Sequence, residues 1–347
     1  MRWSPRFRRT LQDRELVTVA LGHPLVDDYL GFVAARARPN TLLAVAFDLK
    51  VFFSIIENDP DQVTRADVFA FLKAQRSSNE EGKIVRLEDG ETGLSARTIA
   101  RRLSSVSGLF AYLLARGDTA LKVNPVPHGL ASRRPGRRRG VPLIRTPLTL
   151  PRVLAPSEVD LLMSALRTHR DRAMVESMLL GGLRRCEVLG LRLGDVNAGE
   201  RRLFITHGKG GRQRIVPVSA RFFTTLGRYL GEERPQTSAS DQIFVVLKGP
   251  RRGRPLSSDG LDEILDSARR RAGLAHGSCH ELRHTCFTRL REAGMALEAI
   301  QAQAGHASIE STRIYLHLAN DWLEHEYLRA AEAIEAEAVA TAEAVSS

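Results

Sequence analysis

The residues best suited to do chemistry lie late in the chain. Cys279-His280-Glu281-Leu282-Arg283-His284-Thr285 is followed by Gly305-His306 and then by Tyr315. His280 and Arg283 are three positions apart, which on a helix puts both side chains on one face, about a turn apart. His306 and Tyr315 are nine apart, and on one unbroken helix they would point roughly 180° from each other. They converge only if the chain turns between them, and Gly305 with Ser308 as an N-cap allows a new helix to begin there. A cation, two imidazoles and a phenol in a strongly basic chain point to phosphate chemistry with a tyrosine nucleophile. The same letters fit a rival chemistry. His280-Glu281-x-x-His284 matches the H-E-x-x-H helix of zinc peptidases, with His306 or Glu298 as a third ligand.

The bulk composition narrows the choice of partner. At 347 residues the chain is long enough for two domains, each with its own core. A net charge of +11 favours a polyanionic partner. The three cysteines, Cys186, Cys279 and Cys286, suit neither a disulfide framework nor a cysteine-based zinc site, and read as reduced small hydrophobes. No apolar run reaches membrane-spanning length, and the basic N-terminus lacks the apolar stretch of a secretory signal. The expected setting is cytoplasmic, at the nucleoid, with no membrane partner.

The elements that must position these residues fall into five stretches. Residues 1–22 read as a mobile basic arm with at most a short helix. Residues 23–128 read as an all-helical unit. In it, Leu25, Val26, Tyr29, Leu30 and Val33 repeat at helical spacing until Pro39, and Thr41, Thr64 and Ser95 are candidate caps for three further helices. Ser77–Gly93 is polar and reads as a loop. Residues 129–155 form an arginine-rich linker with no acidic residue between Gly129 and Arg152. Arg133, Arg134, Arg137, Arg138 and Arg139 would track a phosphate backbone. Residues 156–320 read as a mixed domain: helices near 157–167 and 171–180, a β-hairpin around Gly208-Lys209-Gly210-Gly211, a helix near 219–230, a short strand at Ile243–Leu247 and a helix over 258–271. The tail, 321–347, is rich in alanine and glutamate and has good helix propensity.

Breaking a DNA phosphodiester without metal needs an in-line nucleophile, charge on the equatorial oxygens and an acid for the departing 5′-hydroxyl. Arginine suits the oxygens, because its planar fork bonds bidentately and stays charged. Tyrosine can store the bond energy as an ester, so a strand is rejoined without ATP. Arg184 follows a Gly-Gly turn at a helix start, Arg283 sits beside His280, and Lys209 occupies a hairpin tip from which it could reach a cleft as the acid.

In four ordered segments the second domain resembles the catalytic domain of the tyrosine recombinases, the phage-integrase and Xer-like family. The segments are Gly182-Leu183-Arg184-Arg185-Cys186-Glu187, Gly208-Lys209-Gly210 with Arg214-Ile215-Val216-Pro217, His280-Glu281-Leu282-Arg283-His284, and Ala304-Gly305-His306-Ala307-Ser308 with Thr312-Arg313-Ile314-Tyr315-Leu316-His317. Two positions depart from the family pattern: Cys186, where a small hydroxylated residue is common, and Gly181, where threonine is frequent. The resemblance implies a mainly α fold with a small antiparallel sheet, as a helical core-binding domain plus a mixed catalytic domain closing around a duplex. It implies that Tyr315 attacks the phosphate to give a 3′-phosphotyrosyl intermediate. Arg184 and Arg283 hold the non-bridging oxygens, Lys209 protonates the leaving oxygen, His280 is the acid–base helper, His306 bonds the phosphate, and Glu187 supports Arg184. No cofactor is implied. The implied partners are double-stranded DNA, further copies of the chain as a tetramer in the synapse, and accessory recombinases or DNA-bending proteins.

The zinc reading leaves Arg184, Lys209, Tyr315 and the linker without a role, and sets the cation Arg283 beside the metal. A non-cutting DNA-binding relative would be expected to have lost a group from the set. A type IB topoisomerase shares the chemistry but relaxes DNA as a monomer, whereas two domains and a tail able to dock on a neighbouring copy favour a recombinase.

Overall fold

The computed structural model describes residues 3–12, 15–76, 93–127, 129, 142–145, 151–206, 213–305 and 312. The chain divides into two compact units, Met1–Leu148 and Thr149–Ser347.

The first unit begins with a β-hairpin, not the mobile arm that its charge predicts. Strand β1 (Arg8–Gln12) pairs antiparallel with β2 (Glu15–Ala20), with a register irregularity after Thr10. Around the hairpin, Val19 and Leu21 are buried, Phe7 stacks on Phe47 at 4.5 Å between ring centroids, and the Trp3 indole donates to the Leu21 carbonyl at 3.3 Å. Apolar and aromatic side chains anchor the segment, and Arg6, Arg8 and Arg9 are exposed.

Four helices follow: α1 (Pro24–Arg36), α2 (Pro39–Ile55), α3 (Arg65–Arg76) and α4 (Ala96–Arg116). Pro39 opens α2 rather than closing α1, because a proline at the first helical position has no N–H to leave unpaired; Thr41 is therefore not a cap. Ser95 is one, accepting from the Thr98 N–H at 3.2 Å. Thr64 and Asp67 cap α3 reciprocally, the Thr64 N–H donating to the Asp67 carboxylate at 2.8 Å. The core gathers Leu30, Leu49, Phe52, Phe71, Val106 and Phe110, all fully buried. Leu143 and Ile144, from the stretch read as linker, are half-buried against this core. Of the loop over Ser77–Gly93 only Gly93 is described, and the five linker arginines and the tail lie outside the described residues.

The second unit contains α5 (Pro156–Ala165), α6 (His169–Gly181), α7 (Arg185–Gly190), a three-stranded antiparallel sheet in the order β3 (Val196–Asn197), β4 (Arg202–Ile205), β5 (Arg214–Pro217), then α8 (Ala220–Arg228), α9 (Ser258–Arg271), α10 (Cys279–Glu292) and α11 (Leu297–Ala304). Leu203, Ile205 and Val216 turn into a core shared with Met178, Leu183, Phe222 and Leu282. Within Ile243–Leu247 there is an isolated bridge, Val245 to Pro255, rather than a strand of the sheet. Ile243, Phe244 and Val245 are nonetheless fully buried, so their apolar run reports burial more than pairing. The fold is mainly α with small antiparallel sheets. Among the described residues no helix is long and apolar enough to cross a membrane.

Candidate active site

Arg184 is placed by the end of one helix and the start of the next. Helix α6 stops at Gly182, which adopts φ 66°, and the N–H groups of Gly182 and Leu183 return to the carbonyls of Met178 (3.1 Å) and Ser177 (3.2 Å). A Cβ on Gly182 would collide with the ring of Phe287, so glycine serves both the left-handed turn and the close approach of α10. Gly181 is also closely packed. A Cβ there would lie 2.9 Å from a Leu183 methyl and 3.1 Å from one of Val218, so a larger residue at this position would require those side chains to shift. Arg184 is then the N-cap of α7, and Glu187 reaches back to its N–H at 2.8 Å.

Glu187 is the centre of the arrangement. It is 3% exposed. Its Oε1 accepts from Arg184 Nη1 at 2.9 Å and from Arg214 Nη1 at 2.8 Å; its Oε2 accepts from the Arg184 N–H and from Arg214 Nη2, both at 2.8 Å. Arg283 Nη1 stands 4.0 Å from Oε2, within reach of the charge but not of a hydrogen bond. Burial, the largest influence, pushes this carboxyl up, but the hydrogen bonds from Arg214 and the Arg184 N–H and the charges of both arginines together hold it at about 2.

Arg283, 3% exposed, lies on α10 over the ring of Phe287, its Cζ 4.7 Å from the centroid. Its Nη1 donates to the Gly182 carbonyl and its Nη2 to the Ala304 carbonyl at 2.7 Å. Helix α10 starts with a full capping box. Ser278 Oγ accepts from the Glu281 N–H, and the Glu281 carboxylate accepts from the N–H groups of Ser278 (2.8 Å) and Gly277 (3.0 Å). Glu281, which also lines the cleft, thus has its Oε2 engaged in starting the helix. Among the described residues no three His, Cys, Asp or Glu side chains are grouped to hold a metal ion.

His280 and His284 face each other, with Nε2 to Nε2 at 3.0 Å and the rings edge-on. Burial, then the positive charges of Arg283 and Arg184, lowers the His280 pKa, so the ring is neutral near pH 7 and able to take a proton. Burial, then the charges of His280 and Arg283, lowers that of His284 to about 4. Arg184, His280 and Arg283 line one open cleft of about 690 Å³, together with Arg185, Cys186 and Arg269. Cys186 is exposed, whereas burial pushes the thiols of Cys279 and Cys286 up to about 12, consistent with unreactive side chains.

The structure thus brings together Arg184, Glu187, His280 and Arg283. Lys209, His306 and Tyr315 lie outside the described residues. What precedes them is described. Strands β4 and β5 pair up to Ile205 opposite Arg214, and Lys209 falls in the sequence between them. Helix α11 ends at Gly305 with φ 60°, immediately before His306. Sequence reasoning missed two residues of the site, Arg214 and Gln303. The Gln303 side-chain amide donates to the carbonyls of Gly181 (3.2 Å) and Pro217 (3.1 Å), and the Gln303 backbone carbonyl accepts from Arg214 Nε at 3.0 Å. Arg214 stood inside a quoted motif, but nothing in the spacing of the letters pairs it with Glu187.

Comparison with known proteins gives the family of the chain. The chain matches the phage integrase family over residues 152–321 and the phage integrase N-terminal SAM-like domain over residues 26–117. Tyrosine recombinase XerD of Listeria monocytogenes is 30% identical over 309 residues, covering 85% of this chain and 94% of its own. Tyrosine recombinase XerD of Mycobacterium tuberculosis is 33% identical over 290 residues, covering 80% and 86%. Among solved structures, the Tn1549 transposon integrase in complex with transposon right end DNA shares the fold with a TM-score of 0.66 at 19% identity, over 88% of this chain and 99% of its own. A lambda integrase dimer bound to a COC′ core site does so at 0.61 and 20%, over 84% and 94%. The chain belongs to the phage integrase family of tyrosine recombinases.

Proposed function

We propose that this chain is a site-specific DNA recombinase that cleaves and rejoins strands through a 3′-phosphotyrosyl intermediate. Tyr315 Oη attacks the scissile phosphorus, the bond to the 5′-oxygen breaks, and Lys209 supplies the proton to that oxygen. Arg184 and Arg283 neutralise the non-bridging oxygens as charge builds on them, and His306 donates a hydrogen bond to the phosphate. His280, neutral near pH 7, takes the phenolic proton. The observation that carries the reading is the single cleft in which Arg184, Arg283 and His280 meet, with the Glu187 carboxylate buried behind the two arginines.

The substrate is duplex DNA bound largely through phosphates, with Arg133, Arg134, Arg137, Arg138 and Arg139 tracking the backbone between a helical core-binding domain and the catalytic domain. Four copies act in a synapse on two sites, exchanging strands pairwise. An accessory recombinase or a DNA-bending protein fits the same assembly.

The test begins by selecting the preferred site from a randomised duplex pool. That site is then rebuilt as a nicked duplex whose short 5′-hydroxyl fragment diffuses away after cleavage, trapping the covalent adduct. The full chain forms an adduct resistant to denaturant, and Tyr315→Phe binds the duplex and forms none. An adduct from the Phe variant removes Tyr315 from the role. Relaxation of a plasmid bearing one site, without exchange between two, would favour the topoisomerase alternative.

A further inference from the structure

Glu187 is surrounded by three guanidinium groups, yet only two of them bond to it. A carboxylate offers about four lone-pair directions. All four are taken: two by Arg184, through its N–H and Nη1, and two by Arg214, through Nη1 and Nη2. Arg283 waits at 4.0 Å with its own N–H groups turned to the carbonyls of Gly182 and Ala304. Arg184 uses only Nη1 of its side chain on this carboxylate, and among the described residues its Nε and Nη2 make no hydrogen bond.

Arg214 is itself held from three sides. Its Nε donates to the Gln303 carbonyl at 3.0 Å, both Nη atoms grip Glu187, and its stem runs so close to Gly305 that a Cβ there would sit 3.0 Å from Cδ and 3.2 Å from Cζ. It is the first residue of β5, in the β4–β5 hairpin. One side chain therefore ties the hairpin, the carboxylate behind Arg184 and the turn before His306 into one piece.

We propose that Arg214 is a positioning residue for strand cleavage: by saturating Glu187 it prevents that carboxylate from drawing Arg283 and the rest of Arg184 away from the phosphate. This rests on the recombinase reading of the cleft. Lysine cannot replace arginine here, because one ammonium cannot give two parallel N–H bonds and a third to Gln303.

The experiment measures adduct formation on the nicked selected site, with duplex affinity and thermal melting recorded for every variant. Arg214→Ala is expected to slow adduct formation roughly 10- to 100-fold while affinity stays within about threefold. Arg214→Lys is expected to recover little of that loss. The discriminating variant is Arg214→Ala combined with Glu187→Gln. The amide still accepts from the Arg184 N–H but no longer pulls a second cation, so the double variant should cleave about fivefold or more faster than Arg214→Ala alone. A purely structural role for Arg214 predicts the reverse, a double variant at or below the single. That result, or wild-type cleavage by Arg214→Ala, overturns the proposal while leaving the recombinase reading intact. If Arg214→Ala does not fold, the same comparison is made on Arg214→Lys with and without Glu187→Gln, and an absence of charge rescue again overturns it. A wild-type chain that binds the site and forms no adduct overturns both readings.

Discussion

Among the described residues, Asp48 in the first unit and Glu187 in the second are buried carboxylates that each face more than one arginine, and the two do different work. Asp48, in the helical unit, accepts from Arg101 Nη1 at 2.5 Å and from Ser105 Oγ at 2.8 Å, with Arg102 Nε at 3.9 Å. All three partners lie on α4, so the cluster braces two helices, and the Arg101 side chain remains half in water. Glu187 draws its partners from the α6–α7 junction and from β5, and stands beside α10. One carboxylate staples a pair of helices, while the other joins three segments, two of which carry cations into a cleft. The same ion-pair chemistry is a brace where its nearest cation is half in water, and an alignment device where its cations are mostly buried.

That contrast can be pressed hardest at the cleft. Arg283→Ala should slow adduct formation about 10²- to 10³-fold with site binding retained, because the guanidinium acts where charge develops; cleavage within a fewfold of wild type removes Arg283 from the site. Glu187→Ala strands two arginines near the protein interior and should cost about 3–5 kcal/mol of stability. Asp48→Ala, whose main partner already reaches water, should cost about 1–3 kcal/mol. Equal losses in denaturant unfolding would erase the distinction.

Acid should sharpen it. A glutamate that ordinarily titrates near 4.5 is held here at about 2, so between those values the unfolded chain binds a proton the folded chain refuses. The Glu187 contribution is whole above pH 4.5, declines as pH falls, and is gone below about 2, a loss of roughly 3 kcal/mol. His284, lowered from 6.5 to about 4, adds a loss of the same sign at higher pH. Glu187→Gln should flatten the fall in stability below pH 4.5 and keep the part between 6.5 and 4; an unchanged acid limb contradicts the assignment. The smallest effect compares two caps. Ser95→Ala and Ser278→Ala should each cost about 1 kcal/mol, but only Ser278→Ala, at the start of α10, should also lower cleavage.

Much of this site could be read in the letters, and the rest depends on distances the letters do not carry. The His280–Arg283 spacing reports a shared helix face, and Gly182 before Arg184 reports a turn, because both are local. Arg214 lies 27 positions from Glu187 and 89 from Gln303, so its role exists only after folding. The N-terminal hairpin escaped because Arg8 and Arg9 dominate its composition, while Trp3, Phe7, Val19 and Leu21 anchor it. Pro39 ended one helical pattern and began the next, and periodicity alone does not say which. The arginine-rich stretch looked unable to join a core, yet Leu143, Ile144 and Leu154 each pack against one.

The two carbonyls that meet Arg283 belong to the closing turns of α6 and α11, where unpaired backbone oxygens give each helix a fractional negative pole. Folding has therefore already stripped this cation of most of its water and replaced it with fixed dipoles. An arriving phosphate finds a guanidinium that needs little rearrangement. Salt should consequently weaken docking of the duplex steeply while leaving the rate of the bound complex almost unchanged.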